Sequence, residues 1–304
     1  MAAVTILDII KGKMKSMNIS QSKLAEGILD KSHFSRILKG KSAPHYSTLK
    51  LVFERLGLDI SIFADFCIDK KTAEHEDIKA GLDSKIRLEK YDEAKLLINK
   101  LDKDTIFLES KVNKQHLLSC KAAMAIEMGE CSSTILPILE EAIKISIPYF
   151  KEENLDRYLL AKVDMEIVNM MAILYNNDNE RGKAIQLLKK LKENFDRRFL
   201  DTQSKGGQYT LIIYNLTKYL GMAGQYKEAI NLCEDGIDTC IETGIMTNLP
   251  SLAFNKAACL LELGDEDTAA ALFTQVYYSA ALQKDFGLAK TTKKYALDKL
   301  GIKL

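Results

Sequence analysis

An all-α protein is predicted, and three observations predict it. The 304 residues include only 16 Gly and 4 Pro, whereas Leu, Lys, Ala, Ile and Glu, the better helix formers, dominate. Apolar residues recur at helical spacing from the first segment to the last. A short phrase returns four times after residue 80, in "EKYDEAKLLINKL", "NERGKAIQLLKKL", "GQYKEAINLCEDGI" and "GDEDTAAALFTQV", which marks stacked helical units.

The first segment, Thr5 to Met17, places Ile6, Ile9, Ile10, Met14 and Met17 on one helical face. Asn18 ends it, and Ser20 caps the next helix, "SQSKLAEGI", whose buried side is Leu24, Ala25 and Ile28. Gly27 and Asp30 break the chain before a third helix, "KSHFSRILKG". There Phe34, Ile37 and Leu38 form the apolar stripe, while Lys31, Ser32, His33, Ser35, Arg36 and Lys39 stay on the polar side. Gly40 stops this helix. Pro44 punctuates the loop, and Ser47 is expected to cap a fourth helix with the stripe Leu49, Val52, Phe53 and Leu56.

Charge separates this head from the remainder. Residues 1–57 hold ten Lys or Arg against four acids, a net +6, while the rest of the chain carries −5. A basic head with a short braced helix followed by a donor-rich one fits a helix-turn-helix, in which the N-terminal side chains of the second of these reach base edges in the major groove. Gln21, Leu24-Ala25-Glu26, Ser35-Arg36-Ile37 and Gly40 resemble the Xre-type helix-turn-helix family, with a turn length most like its PlcR-type branch. Leu38 departs from it, standing where the family often carries an acid. The expected DNA contacts are Gln21, Lys31, Ser32, His33, Ser35 and Arg36, and the expected partner is a double-stranded operator.

In the repeated phrases a small residue follows each turn, at Ala94, Ala184, Ala229 and Ala269, with Thr134 of "GECSSTILPILEEAI" as a degenerate fifth member, at intervals of 40, 50, 45 and 40. A small residue there lets the second helix of a pair approach the first, beside an aromatic such as Tyr91 or Tyr226. Gly224, Tyr226 and Ala229 resemble the tetratricopeptide turn, which implies a right-handed α-solenoid of about five helix pairs. The expected organisation is a head over 1–66, a hinge over 67–78, repeats over 79–282 and a capping helix over 283–304. Gly206-Gly207 is read as a loop.

The first helices of such pairs line a concave groove suited to an extended peptide. Asn169, Asn215 and Asn255 stand 15, 14 and 14 residues before the repeat alanines. As a ladder they could pair with a peptide main chain; internal packing is the alternative for each. Glu166, Tyr214, Lys218, Phe254 and Glu262 are the expected neighbours.

The head and the repeats together resemble the RRNPP family of PlcR-like and Rgg-like regulators. That resemblance implies a cytoplasmic transcription regulator of the quorum-sensing type, a homodimer whose repeats bind a short linear signalling peptide that alters operator binding. The alternative is a repeat scaffold that inhibits a protein partner. No catalytic role is expected, since G-x-G-x-x-G, P-loop and nucleophile motifs are absent. The six cysteines, at 67, 120, 131, 233, 240 and 259, contain no C-x-x-C, and the four histidines lack i, i+4 pairing. Neither metal nor cofactor is expected. No export segment and no membrane span are expected either.

Overall fold

Side-chain caps set where two of the head's helices begin. In the computed structural model, which describes residues 6–58, 70–197, 202 and 205–304, α1 is Ile6–Ser16, α2 Gln21–Ala25, α3 Lys31–Leu38 and α4 Tyr46–Arg55. Ser20 accepts from the Lys23 N–H, and Asp30 accepts from the His33 N–H, each satisfying an amide that the first turn leaves open. The expected stripes turn inward: Ile10 and Met14 are buried with Ile6, Ile9 and Met17 half-buried, and Leu24, Ala25 and Ile28, then Phe34, Ile37 and Leu38, then Leu49, Val52, Phe53 and Leu56 are buried. Leu38, the departure from the family pattern, belongs to this core. Ser47 does not cap α4. The helix starts two residues earlier than that cap implies, after Pro44 and His45, and Ser47 is buried in its first turn.

The repeats comprise α5 (Lys70–Arg87), α6 (Tyr91–Leu101), a short α7 (Thr105–Glu109), α8 (Lys111–Glu127), α9 (Ser132–Ser146), α10 (Lys162–Asn177), α11 (Arg181–Asp196), α12 (Thr210–Met222), α13 (Tyr226–Thr243), α14 (Leu249–Glu262), α15 (Glu266–Leu282) and α16 (Phe286–Leu300). No strand occurs among the described residues. The proposed hinge is largely helix: residues 70–78 are the first half of α5, and 67–69 lie outside the described residues.

A single device starts most second helices. Glu89, Asn179, Gly224, Gly264 and Lys284 adopt positive φ, each two residues before the first helical residue. The small residue then falls at the fourth helical position, and Ala94, Ala184, Ala229 and Ala269 are fully buried. Before α9 the interval from Gly129 is one residue longer. The repeat register therefore shifts from Thr134 to Ile135: Ile135 is fully buried, and the exposed Thr134 returns its hydroxyl to the Cys131 carbonyl. Gly206-Gly207 is also not a loop. It lies in a wide helical turn, Lys205–Tyr209, that runs into α12, and a Cβ on Gly206 would sit 2.6 Å from Thr243 Oγ1 and 2.7 Å from Ile245.

The chain divides into two compact units after Asp178, with α11 in the second unit. The break thus falls within the repeats rather than behind the head. The reason is packing: the head core takes in Ala161 and rests on Val112, Leu159 and Val163 of the repeats. At its centre Arg55, 1% exposed, donates to the carbonyls of Leu24 (2.9 Å), Glu26 (2.6 Å) and Ser146 (3.2 Å). Beside it the buried Asp164 carboxylate accepts from Gln115, Ser146 and the Ala161 N–H. In the second unit, α16 closes the helix stack through Phe254, Phe273 and Tyr295, whose ring centroids lie 5.4–5.5 Å apart.

Candidate functional site

The head presents one polar helix face. In α3, burying Phe34, Ile37 and Leu38 leaves Lys31, Ser32 and Arg36 exposed and His33 and Ser35 half-buried; Gln21 is exposed at the start of α2. These side chains are not equivalent. The Ser32 hydroxyl donates to Asp30, and its bond together with the His33 N–H holds the Asp30 carboxyl below the ordinary carboxylate range. His33 Nε2 lies 3.3 Å from Ser42 Oγ. Lys31 and Arg36 have no hydrogen-bond or ion-pair partner among the described residues, so their charges are available to a ligand. The cap residue is the one acid on this face, and its cost to a polyanion is reduced by the donors it already holds.

In the second unit a cavity of about 710 Å³ opens between α12, α14 and α16, within the range of roughly 300–1,000 Å³ usual for ligand sites. Helical periodicity aligns its walls. Tyr214, Thr217, Lys218 and Gly221 come from α12, and Ser251, Phe254, Asn255, Ala258 and Glu262 from α14. Five residues expected at a peptide site, Tyr214, Lys218, Phe254, Asn255 and Glu262, meet here. Phe254 and Tyr295 bring the aromatic cluster to the wall. Lys218, Glu262 and Asp285 supply charge of both signs. Burial raises the Tyr214 hydroxyl above its ordinary pKa and pushes the Cys259 thiol to about 11, so both stay neutral near pH 7. The cavity combines aromatic walls, neutral hydrogen-bonding groups and charged rims, a composition that accepts an amphipathic chain.

The asparagines behave otherwise than as a ladder of free amides. Asn255 donates from Nδ2 to the Tyr214 carbonyl and to Thr217 Oγ1, both at 3.0 Å, which staples α14 to α12 and leaves its oxygen as the acceptor. Asn215 is buried and is not part of the cavity wall. Asn169 and Glu166 lie on α10 in the first unit, and Glu166 sits beside Lys162. Burial raises the Glu166 carboxyl, opposed by the Lys162 charge. Residues that sequence spacing did not single out, Thr217, Ser251 and Tyr295 among them, complete the wall. Positions 251, 255, 258 and 262 already carry the i, i+4, i+7, i+11 signal that could have found Ser251.

Expected Asn255→Ala behaviour follows from these bonds. Losing both donors to buried acceptors lowers the unfolding free energy by about 1–3 kcal/mol, whereas Glu262→Ala on the exposed rim stays within about 0.5 kcal/mol. Urea titrations of the two variants check this. Equal stabilities would show that the Asn255 staple is not made.

No curated protein sequence matches the chain. Among solved structures, the chain is similar to PlcR of Bacillus thuringiensis in complex with the peptide PapR7 and DNA, with a TM-score of 0.61, 16% identity and coverage of 95% of this chain and 99% of that one. It is similar to apo ComR of Streptococcus vestibularis, with a TM-score of 0.57, 14% identity and 96% of each chain covered. It also matches ComR of S. thermophilus in complex with DNA and its signalling peptide ComS, with a TM-score of 0.53, 16% identity and coverage of 98% and 100%. At these identities the likeness concerns the fold. Residues 140–288 match the RNPP family C-terminal domain, so this stretch of the chain carries the domain of the family that the sequence resembles.

Proposed function

We propose that the protein is a transcription regulator in which α3 reads a double-stranded operator and the cavity of the second unit takes a short linear peptide that alters operator binding. The observation that carries this reading is the co-occurrence of the two surfaces. One is an exposed, unpaired cationic face on α3; the other is an aromatic-walled cavity lined from successive first helices. PlcR and ComR, which share the fold, are described as bound to both DNA and a peptide. Nothing in this reading calls for a catalytic group. No helix among the described residues is long and apolar enough to cross a membrane.

Gln21, Lys31, Ser32, His33, Ser35 and Arg36 form the DNA surface. Tyr214, Lys218, Phe254, Asn255 and Glu262 form the peptide surface, with Asn169, Asn215 and Glu166 outside it. The regulator acts as a homodimer, because paired half-sites about one helical turn apart require two heads. Exposed Tyr278, Leu282 and Phe286, at the junction of α15 and α16, offer apolar surface for the second copy.

The test is titration of the full chain against DNA from its own upstream region at several salt concentrations, with and without a synthetic peptide encoded by an adjacent small reading frame. Salt-sensitive, selective binding of two chains per duplex, altered by peptide, is expected. Arg36→Ala is expected to weaken selective binding by about 5- to 150-fold, the value of a base-edge contact, and to leave peptide affinity unchanged. Unaltered operator affinity in that variant would remove α3 as the reader. Stoichiometric capture of a protein with no selective DNA binding would favour the scaffold instead.

A further inference from the structure

Helix α5 carries Asp83, and helix α8 carries His116 and Cys120 one turn apart. Their donor atoms form a nearly equilateral triangle. Cys120 Sγ lies 3.4 Å from Asp83 Oδ1 and 3.4 Å from His116 Nε2, and His116 Nε2 lies 3.2 Å from Asp83 Oδ1. Protons satisfy two of the three contacts, with Nε2–H and S–H both donating to Asp83 Oδ1, and leave the sulfur–nitrogen pair in contact without a hydrogen bond. Nε2 offers one in-plane position, as a donor or as an acceptor, so it cannot bond the carboxylate and the thiol together. A Cys-His-Asp catalytic array is excluded by the same fact, because there the acid holds the opposite ring nitrogen from the nucleophile. Here both partners converge on one nitrogen.

A metal ion satisfies such a triangle. Tetrahedral Zn²⁺ takes thiolate, imidazole and carboxylate at roughly 2.0–2.3 Å, which sets the donors about 3.3–3.6 Å apart, the separations seen here to within about 0.1 Å. The mixed sulfur, nitrogen and oxygen set suits Zn²⁺ better than Ca²⁺ or Mg²⁺, which favour all-oxygen sites. Access is graded: the Cys120 side is buried, His116 is partly covered, and the Asp83 side chain is 56% exposed, giving a path from solvent. The Glu166 carboxylate on α10 adds negative charge that acts on all three groups, and a water supplies the fourth donor. Three lysines oppose a cation there. Each is already engaged, Lys50 and Lys79 by Glu76, Lys79 also by Asn113, and Lys162 by Glu166.

We propose that Asp83 Oδ1, His116 Nε2 and Cys120 Sγ bind one Zn²⁺ ion that clips α5 to α8. On binding, the Cys120 S–H proton passes to solvent and the thiolate becomes the ligand, so affinity falls as pH falls. The spacing that signals the site is His116-x-x-x-Cys120, a pair that a search restricted to His–His passes over.

The experiment uses the full chain stripped with a chelator, then loaded with Zn²⁺ or with Co²⁺ as a coloured substitute. One retained Zn²⁺ per chain after dialysis is expected, with a Co²⁺ spectrum showing a thiolate charge-transfer band and tetrahedral d–d intensity. Cys120→Ser removes the band, and Cys131→Ser, at the exposed thiol, keeps it. Because Cys120→Ser sits in a core, Asp83→Asn at the exposed vertex is the second variant: it folds without metal and binds Zn²⁺ at least tenfold more weakly. Zn²⁺ raises the melting temperature of the wild type by several degrees more than that of Asp83→Asn. Loss of all Zn²⁺ from the wild type on dialysis, or a band that survives Cys120→Ser, would overturn the proposal.

Discussion

Arg55→Ala is expected to lower the unfolding free energy of the first unit by about 3–5 kcal/mol, the usual cost of removing one member of a buried charge cluster. The guanidinium serves three backbone carbonyls drawn from two parts of the chain: Leu24 and Glu26 at the end of α2, and Ser146 at the end of α9. Burial lowers its pKa, and the charge of the nearby Asp164 opposes that shift. Alanine would therefore leave helix-end carbonyls without donors and Asp164 without its cation. Denaturant titration measures the loss, and hydrogen exchange locates it: amides of α2 and α9 should open together. A loss under 1 kcal/mol would show that the head does not depend on Arg55 for its seat.

Gly27→Ala and Gly40→Ala form the second test, and their difference matters more than either value. Both glycines have positive φ, +71° and +68°, so both variants incur about 1–2 kcal/mol of backbone strain. Around Gly40 a Cβ meets nothing within 4 Å, whereas at Gly27 it would lie 1.8 Å from the Ser146 carbonyl oxygen. Backbone meets backbone there, and no rotamer relieves it. Gly27→Ala is expected to cost a further ~1–3 kcal/mol, as overpacking does, and to lift α2 from α9. Because α2 braces α3, operator affinity should change in Gly27→Ala and hold in Gly40→Ala. Equal stabilities for the two variants would mean that α2 is not docked on the Ser146 carbonyl.

Much of the fold was legible because local rules and tertiary packing agree over most of the chain. Helix stripes, the caps at Ser20 and Asp30, the stops at Gly27 and Gly40, and the buried Ala94, Ala184, Ala229 and Ala269 all follow from spacing. The failures are local too. One extra residue after Gly129 moved the repeat register from Thr134 to Ile135, and Gly206 serves a close approach that only the Thr243 and Ile245 side chains define. At the candidate peptide site, recurrence pointed to α12 and α14, which line the cavity, and left open whether the asparagines face a ligand or bond within the fold. Spacing shows that Asn255 recurs; only the positions of the Tyr214 carbonyl and the Thr217 hydroxyl show where its donors go.

By itself the sequence determined an all-α chain, the helices of the head and of the repeats, and which face of each is apolar. Those properties depend on periodicity and capping, which act over a few residues. The tertiary structure alone decided that the head shares its core with Ala161, that Arg55 reaches Ser146 across 91 positions, and that Asp83 meets His116 and Cys120. Contacts between residues so distant in the chain depend on how helices stack, and no local pattern encodes that distance.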